Sequence, residues 1–358
     1  MIPIFVLFLL SFSFINDKLL ATKKTIIFVF CLLFWWFLES FRWESGTDFS
    51  NYYNNFDRMK LEGIWTDRYE WGYNFTVFFF KYYLKSTFYF FNAVYYAVIF
   101  LMYFFSIKKA TQNPILFVFI FFCFAVGLMG STRQLMSVSI MFFASIYFLE
   151  KRKLWFILSI LIASLFHRTV IICLVFVFFT YNIQYKYWFY LIAFAVFAQL
   201  SGFNGFIMEK VILLLPKAYT ERFFGYLSLS TSNIINLKIY LFGILRRVLP
   251  IALLFIYKDK LKILIEESIL QYVLNIMLFS LFAYVMLSFN FTFIISRISI
   301  YFNIFEALFY VWLISLFMKE KKYVYTVGLI SFFLVLCIKS IMYYPHLFLP
   351  YKTIFFTL

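Results

Sequence analysis

The sequence predicts an all-α polytopic membrane protein of about twelve transmembrane helices, with roughly ten as the lower figure. Three observations predict it. Hydrophobic residues make up 65% of the chain and charged residues 13%, with a mean hydropathy of +0.90, whereas roughly a quarter of the residues in a soluble domain are charged. The apolar residues come in long runs without a period of two, which excludes a porin-like barrel and suits helices that satisfy their own backbone groups. Lysine clusters punctuate alternate connections between the runs, as the positive-inside rule requires of a chain that crosses back and forth.

The runs place spans at 2–16, 25–41, 87–106, 114–129, 134–149, 154–166, 169–183, 187–202, 237–257, 269–290, 298–318 and 323–341. The opening "MIPIFVLFLLSFSFINDK" lacks a basic n-region and a small-x-small cleavage site, so it is expected to be retained as a first helix. Several runs are shorter than the roughly 20 residues needed to cross squarely and are expected to borrow from their flanks. Residues 1–358 read as a single transmembrane domain, since no internal repeat and no Ser/Pro-rich linker divides them. Two connections are long: a first outer loop at 42–86 and a second at 203–236. Within the first, "RYEWGYNFTVFFFKYYLKS" (68–86) mixes aromatic and polar residues as an interfacial helix does; an N-terminal extension of the third span is the other reading.

The net charge of +16 must be divided between two membrane faces before it speaks of partners, and nucleic acid is not expected among them. Lys18, Lys23, Lys24, Lys108, Lys109, "EKRK" at 150–153, Lys186, Lys258, Lys260, Lys262 and "KEKK" at 319–322 fall in alternate connections and are assigned to the cytoplasm. Both termini and both long connections then lie outside. On this topology 14 of 22 lysines are cytoplasmic but only one of ten arginines, Arg152. Lysine suffices as a topological anchor, whereas arginine's rigid fork suits bidentate contact with phosphate or carboxylate. The asymmetry points to an anionic ligand on the outer side. The four cysteines, Cys31, Cys123, Cys173 and Cys337, stand singly in apolar runs and read as packing residues, and no metal or other cofactor is expected.

Arg246 and Arg247 are the costliest, about ten residues into the helix predicted for "LKIYLFGILRRVLP". A charge at mid-bilayer costs about 2.5–3.5 kcal/mol on insertion scales, so it faces a water-filled cavity or a partner. Pairing with Glu306, mid-span in "YFNIFEALFY", is the structural alternative to ligand binding, and it could hold for one arginine while the other serves a ligand. Pro250 could break the helix and admit water. Arg133 in "GSTRQLMS" and Arg297 in "ISRISIYF" open inward-going spans, where snorkelling is the alternative. "FRWESGTDFSNYY" sets Arg42, Glu44 and Asp48 just beyond the second span, with Gly46 permitting a tight turn; there the alternative is an Asp–Arg ion pair ordering the loop. His167 and Arg168, in "IASLFHRTV", fall at the outer turn between spans six and seven. The histidine, one of two in the chain, reads as a general base, a phosphate hydrogen-bond donor or a helix-end residue.

In this order, "RWESGTDFSNYY", "GSTRQLMSVSIMFFASIYFLEKRK", "ASLFHRTVII", "ISRISIYF" and "PYKTIFF" make a chain that resembles the EpsG-like branch of the Wzy-type polysaccharide polymerases. The resemblance spans most of the sequence, and "G-T-D", "R-Q" and "F-H" are its most specific elements. It implies a glycosyltransferase of GT-C-type architecture in the bacterial cytoplasmic (inner) membrane, O-antigen polymerases being one branch. Its substrates are oligosaccharides on undecaprenyl diphosphate at the outer, periplasmic side. The growing chain passes from its lipid carrier to the next lipid-linked repeat. Membrane lipids and a chain-length regulator of the polysaccharide co-polymerase type are the implied partners.

A diphosphate leaving group gains charge as its bond to the sugar breaks, and preorganised arginines stabilise that charge without a metal. The expected catalytic set is His167, Asp48, Arg246 and Arg297; the expected diphosphate-binding set is Arg133, Arg42, Arg247 and Arg168, with Arg246, Arg297 and Arg133 expected on the donor diphosphate and Arg42 or Arg247 near the acceptor or behind the ligands. His167 ranks before Asp48 as the base, because an unperturbed imidazole titrates near pH 6.5. Glu44 ranks last. Trp43, Trp65, Tyr69 and Trp71 read either as interface anchors or as platforms for sugar rings. A lipid-linked oligosaccharide flippase and an O-antigen ligase are the competing readings; the flippase predicts an internal repeat that is not seen. An acyltransferase lacks its acidic partner after "FHRTV", and a passive scaffold leaves the mid-bilayer arginines unexplained.

Overall fold

Apolar runs without turn residues have one economical solution in lipid, the α-helix, and the chain takes it. The computed structural model describes residues 1–13, 21–65, 69–149, 151–180, 182–213, 237–288 and 292–355, and among these there is no strand. The helices are α1 (Ile2–Ser13), α2 (Ala21–Ser40), α3 (Phe49–Arg58), α4 (Trp71–Phe78), α5 (Phe88–Ala110), α6 (Pro114–Ala125), α7 (Thr132–Tyr147) and α8 (Lys153–Ser164). There follow α9 (Phe176–Phe179), α10 (Tyr185–Leu200), α11 (Phe203–Leu213), α12 (Leu237–Leu261), α13 (Glu267–Leu287), α14 (Thr292–Lys319), α15 (Tyr323–Tyr343) and α16 (Pro345–Phe348).

Among the described residues each of the twelve apolar runs is largely helical. Among the same described residues five helices are long and apolar enough to cross a membrane: α5, α12, α13, α14 from Ile294, and α15. The seventh run is not a regular α-helix. Arg168–Val175 winds as a 3-10 helix before the single turn α9. Consecutive Thr169, Val170, Ile171 and Ile172 branch at Cβ and crowd an α-helical turn, and the 3-10 form covers more length per residue at about 2.0 Å rise.

The exterior fits a lipid solvent. Phe189, Tyr190, Phe197 and Leu200 of α10 and Ile239, Leu245 and Ile256 of α12 are all more than half exposed. Soluble proteins seldom expose contiguous apolar faces of this kind. The chain is a multi-pass membrane protein by the length and apolarity of these helices.

Packing divides the chain into two compact units, residues 1–174 with 310–358, and residues 175–309. Both divisions fall inside helical segments, the 3-10 run and α14, so no linker composition announces them. In the first unit α2 and α7 pack on α5, α8 packs on α7, and α1 and α15 pack on α6. Trp35 lies at the centre of an aromatic cluster with Phe5, Phe100, Tyr103, Phe121 and Phe122. In the second unit α10 and α12 pack on α13.

Residues 42–86 are largely helical, holding α3, a 3-10 turn at Leu61–Trp65, and α4, which continues as a π turn over Phe79–Tyr83. Lys85 in the left-handed region ends that segment. Thr87 then starts α5 afresh, its hydroxyl accepting from the Phe90 N–H. Of the second long connection, residues 203–213 form α11; 214–236 lie outside the described residues, as do Arg68, Arg222 and Lys18.

Candidate active site

The end of α2 builds the first part of the site. Arg42 is fully buried and faces the Glu39 carboxylate one turn earlier at 3.4 Å. Its second terminal nitrogen donates to the Gly130 carbonyl (3.2 Å) and to the Thr132 hydroxyl (3.4 Å). The Gly130 N–H returns to Glu39 at 3.2 Å, so one ion pair fastens the "RWESGTD" loop to the "GSTRQ" turn. Gly130 has φ 99°, and a Cβ there would overlap the Thr47 carbonyl and the Arg42 guanidinium. The Thr47 N–H meets the Met129 carbonyl at 2.9 Å.

The C-terminal segment closes the knot. Arg42 and Thr353 form an isolated antiparallel bridge. The Trp43 N–H donates to the Lys352 carbonyl and the Ile354 N–H to that of Phe41, each at 3.0 Å. The Tyr351 hydroxyl donates to the Leu38 carbonyl. Burial pushes that hydroxyl's pKa up, so it remains a donor. The ion pair considered for this loop therefore exists, but its acid is Glu39, not Asp48. Asp48 is half-buried at φ 60° before α3 and accepts from the Asn51 amide at 3.4 Å.

Arg133, one residue beyond Thr132, belongs to a second cluster. Its guanidinium is ion-paired with Glu70, lies 4.5 Å from the Tyr69 ring centroid, and donates from Nε to the Tyr52 hydroxyl at 3.3 Å. The other Glu70 oxygen accepts the Arg168 backbone N–H at 3.4 Å. Beside it the Gly72 N–H reaches the Leu165 carbonyl at 2.8 Å, an approach a side chain at 72 would block. The turn so held carries His167, buried, with Nδ1 2.7 Å from the Thr169 hydroxyl. Sequence reasoning missed Glu39 and Glu70. Each was visible only as a single acid beside an apolar or aromatic run. Trp65 and Trp71 lie edge to face, 5.5 Å apart and more than half exposed.

In the second unit a polar stripe crosses an apolar helix. Ser299, Asn303 and Glu306 recur at four and three residues on one face of α14. Arg246 of α12 donates to Asn303 at 2.8 Å and pairs with Glu306 at 3.5 Å. Arg247 donates to Ser299 (2.9 Å) and the Gly243 carbonyl (3.1 Å) and stacks 3.9 Å from the Tyr284 ring. The Glu306 pairing is thus real for Arg246, and Arg247 is the more deeply held. Pro250 has no N–H to give the Arg246 carbonyl four residues back. A cavity of about 10 Å³ lies among Arg247, Pro250, Met277, Ser280, Phe302 and Glu306. Arg297 is half-buried two residues before Ser299, on a different face of α14. Among the described residues no three His, Cys, Asp or Glu side chains group as metal ligands.

Residues 24–353 match the EpsG family. The chain belongs to the EpsG family. No curated protein and no solved structure matches it. In this EpsG-family chain four of the five quoted motifs meet within the first unit. "RWESGTD", "GSTRQ" and "PYKTIFF" join at Arg42, and "FHRTV" joins "GSTRQ" through Glu70.

Proposed function

We propose that this protein is a polysaccharide polymerase of the bacterial cytoplasmic membrane. It transfers a growing glycan from undecaprenyl diphosphate to the next lipid-linked repeat unit on the outer face, with its twelve helical segments crossing in a GT-C-type arrangement. The observation that carries the reading is the family match over residues 24–353. The meeting of four of the quoted motifs in two adjoining clusters, at Arg42 and at Arg133, supports it.

The chemistry assigns roles. Base and leaving diphosphate act at the same anomeric carbon, so the donor diphosphate belongs near His167. Arg133 and Arg168, tied to the His167 turn through Glu70, are its ligands. The expected contribution is stabilisation of charge developing on the diphosphate. His167 takes the proton from the incoming sugar hydroxyl, with Asp48 as the alternate base. Arg246 and Arg297, in the second unit, hold the acceptor's diphosphate. Arg42 and Arg247, the two most deeply buried of the described arginines, act by fixing the elements that carry the others. No metal takes part.

The test is a gel assay of purified protein in liposomes with lipid-linked repeat units as sole substrate. A ladder of lengthening glycans without nucleotide or added metal supports the polymerase. Movement of the lipid-linked glycan across sealed vesicles without any ladder overturns it in favour of a flippase.

A further inference from the structure

The Glu70 carboxylate is placed as an anionic ligand would be. One oxygen takes the Arg133 guanidinium and the other takes a backbone N–H, that of Arg168 at 3.4 Å, where a 3-10 helix begins. One guanidinium nitrogen and a main-chain N–H converging on the two oxygens of one group form a donor set that also suits phosphate oxygens. The Glu70 carbonyl accepts the Asn74 N–H at the start of α4, but its carboxylate is turned to Arg133 and Arg168 instead. Glu70 occupies the N-cap position of α4 yet makes no side-chain capping bond there.

Two further features separate this pair from a structural ion pair such as Arg42–Glu39, whose side chains are 0% and 2% exposed. The Arg133 and Glu70 side chains are 18% and 11% exposed, so a ligand can reach them. The guanidinium is also held without Glu70's help, by the Tyr52 hydroxyl at 3.3 Å and the Tyr69 ring at 4.5 Å. It keeps its aim when the carboxylate leaves.

We propose that Arg133, with the Arg168 N–H, is a diphosphate site that Glu70 occupies at rest and that the incoming ligand takes by displacing the Glu70 carboxylate. Glu70 thereby sets the affinity of the site and keeps it from holding stray phosphate. The donor set reads the diphosphate group. That its carrier is a prenyl lipid rests on the function proposed above.

The test measures binding of inorganic pyrophosphate and of farnesyl diphosphate to the full-length protein in detergent by isothermal titration calorimetry. Removing the competing charge with Glu70→Gln should tighten both probes roughly five- to tenfold, the scale of a partly exposed ion pair. Arg133→Gln should abolish binding of both. Glu70→Asp, too short to reach both donors, should fall between wild type and Glu70→Gln and serves if the Gln variant does not fold. Tighter binding of the farnesyl probe identifies a lipid carrier; equal binding identifies the free diphosphate group as what is read, and either agrees with displacement. Unchanged affinity in Glu70→Gln, or intact binding in Arg133→Gln, overturns the proposal. Because binding is read without turnover, the site stands or falls separately from the polymerase assay.

Discussion

Arg42 and Glu39 are enclosed together, and their worth lies in the asymmetry of breaking a buried pair. Removing one member strands the other charge, at a cost of roughly 3–5 kcal/mol, while removing both costs less than the two single losses added. Arg42→Met and Glu39→Leu should therefore each lower the thermal unfolding midpoint in detergent sharply, and the double variant should lie above the sum of their effects. Gly130→Ala should be nearly as damaging, since its φ is 99° and the new methyl meets the Arg42 guanidinium. His167 belongs to the chemistry instead. His167→Ala should lower the polymerisation rate by about 10²- to 10⁴-fold with an unchanged melting profile, the range for loss of a general base. The arginines were legible one by one because a charge inside an apolar run is conspicuous. Their acids were not, because nothing in a single chain says which carboxylate a fold will bring to Arg42 or Arg133. Glu306 was the exception, standing alone in the middle of an apolar span.

At the scale of elements, α12 and α14 meet through Arg246 and Arg247 on one side and the Ser299, Asn303 and Glu306 stripe on the other. Arg246→Ala leaves Glu306 without that partner in an apolar setting, so it should lose both polymer and some folded yield. Pairing it with Glu306→Ala should restore the yield, measured by fluorescence-detected gel filtration, but not the polymer. Arg246→Lys should rescue poorly, because an ammonium cannot serve Asn303 and Glu306 with one planar fork. The C-terminal segment is a second such element. Ending the chain after Tyr344 removes the strand-like pairing with residues 41–43 and should lower the melting temperature by several degrees. The helical state of the twelve apolar runs was readable, since lipid leaves a backbone few alternatives, whereas the polar helix α3 was not. The 3-10 winding of 168–175 was not, because hydropathy reports how greasy a run is and not how tightly it coils. The separation of α4 from α5 was also left open, decided by Lys85 and the Thr87 cap rather than by hydrophobicity.

For the whole molecule, the proposed orientation rests on the lysine pattern, and the four native cysteines offer a clean background for testing it, all being buried. A membrane-impermeant maleimide should label Glu44→Cys in intact spheroplasts and should label Lys321→Cys only after the membrane is opened. The reverse pattern would put the Arg133 and His167 cluster on the cytoplasmic side and remove the outer-face reading. The two-unit packing could not be foreseen, because its boundaries lie within helical segments. The central claim is that a glycosidic bond forms as a lipid diphosphate leaves, and the most direct measurement counts both events in one reaction. Purified protein would be given radiolabelled lipid-linked repeat units, with released undecaprenyl diphosphate and new glycosidic bonds quantified together. The account predicts one lipid diphosphate released per bond, with both falling together in His167→Ala and Arg133→Gln. Bonds without release, or release without bonds, would contradict it.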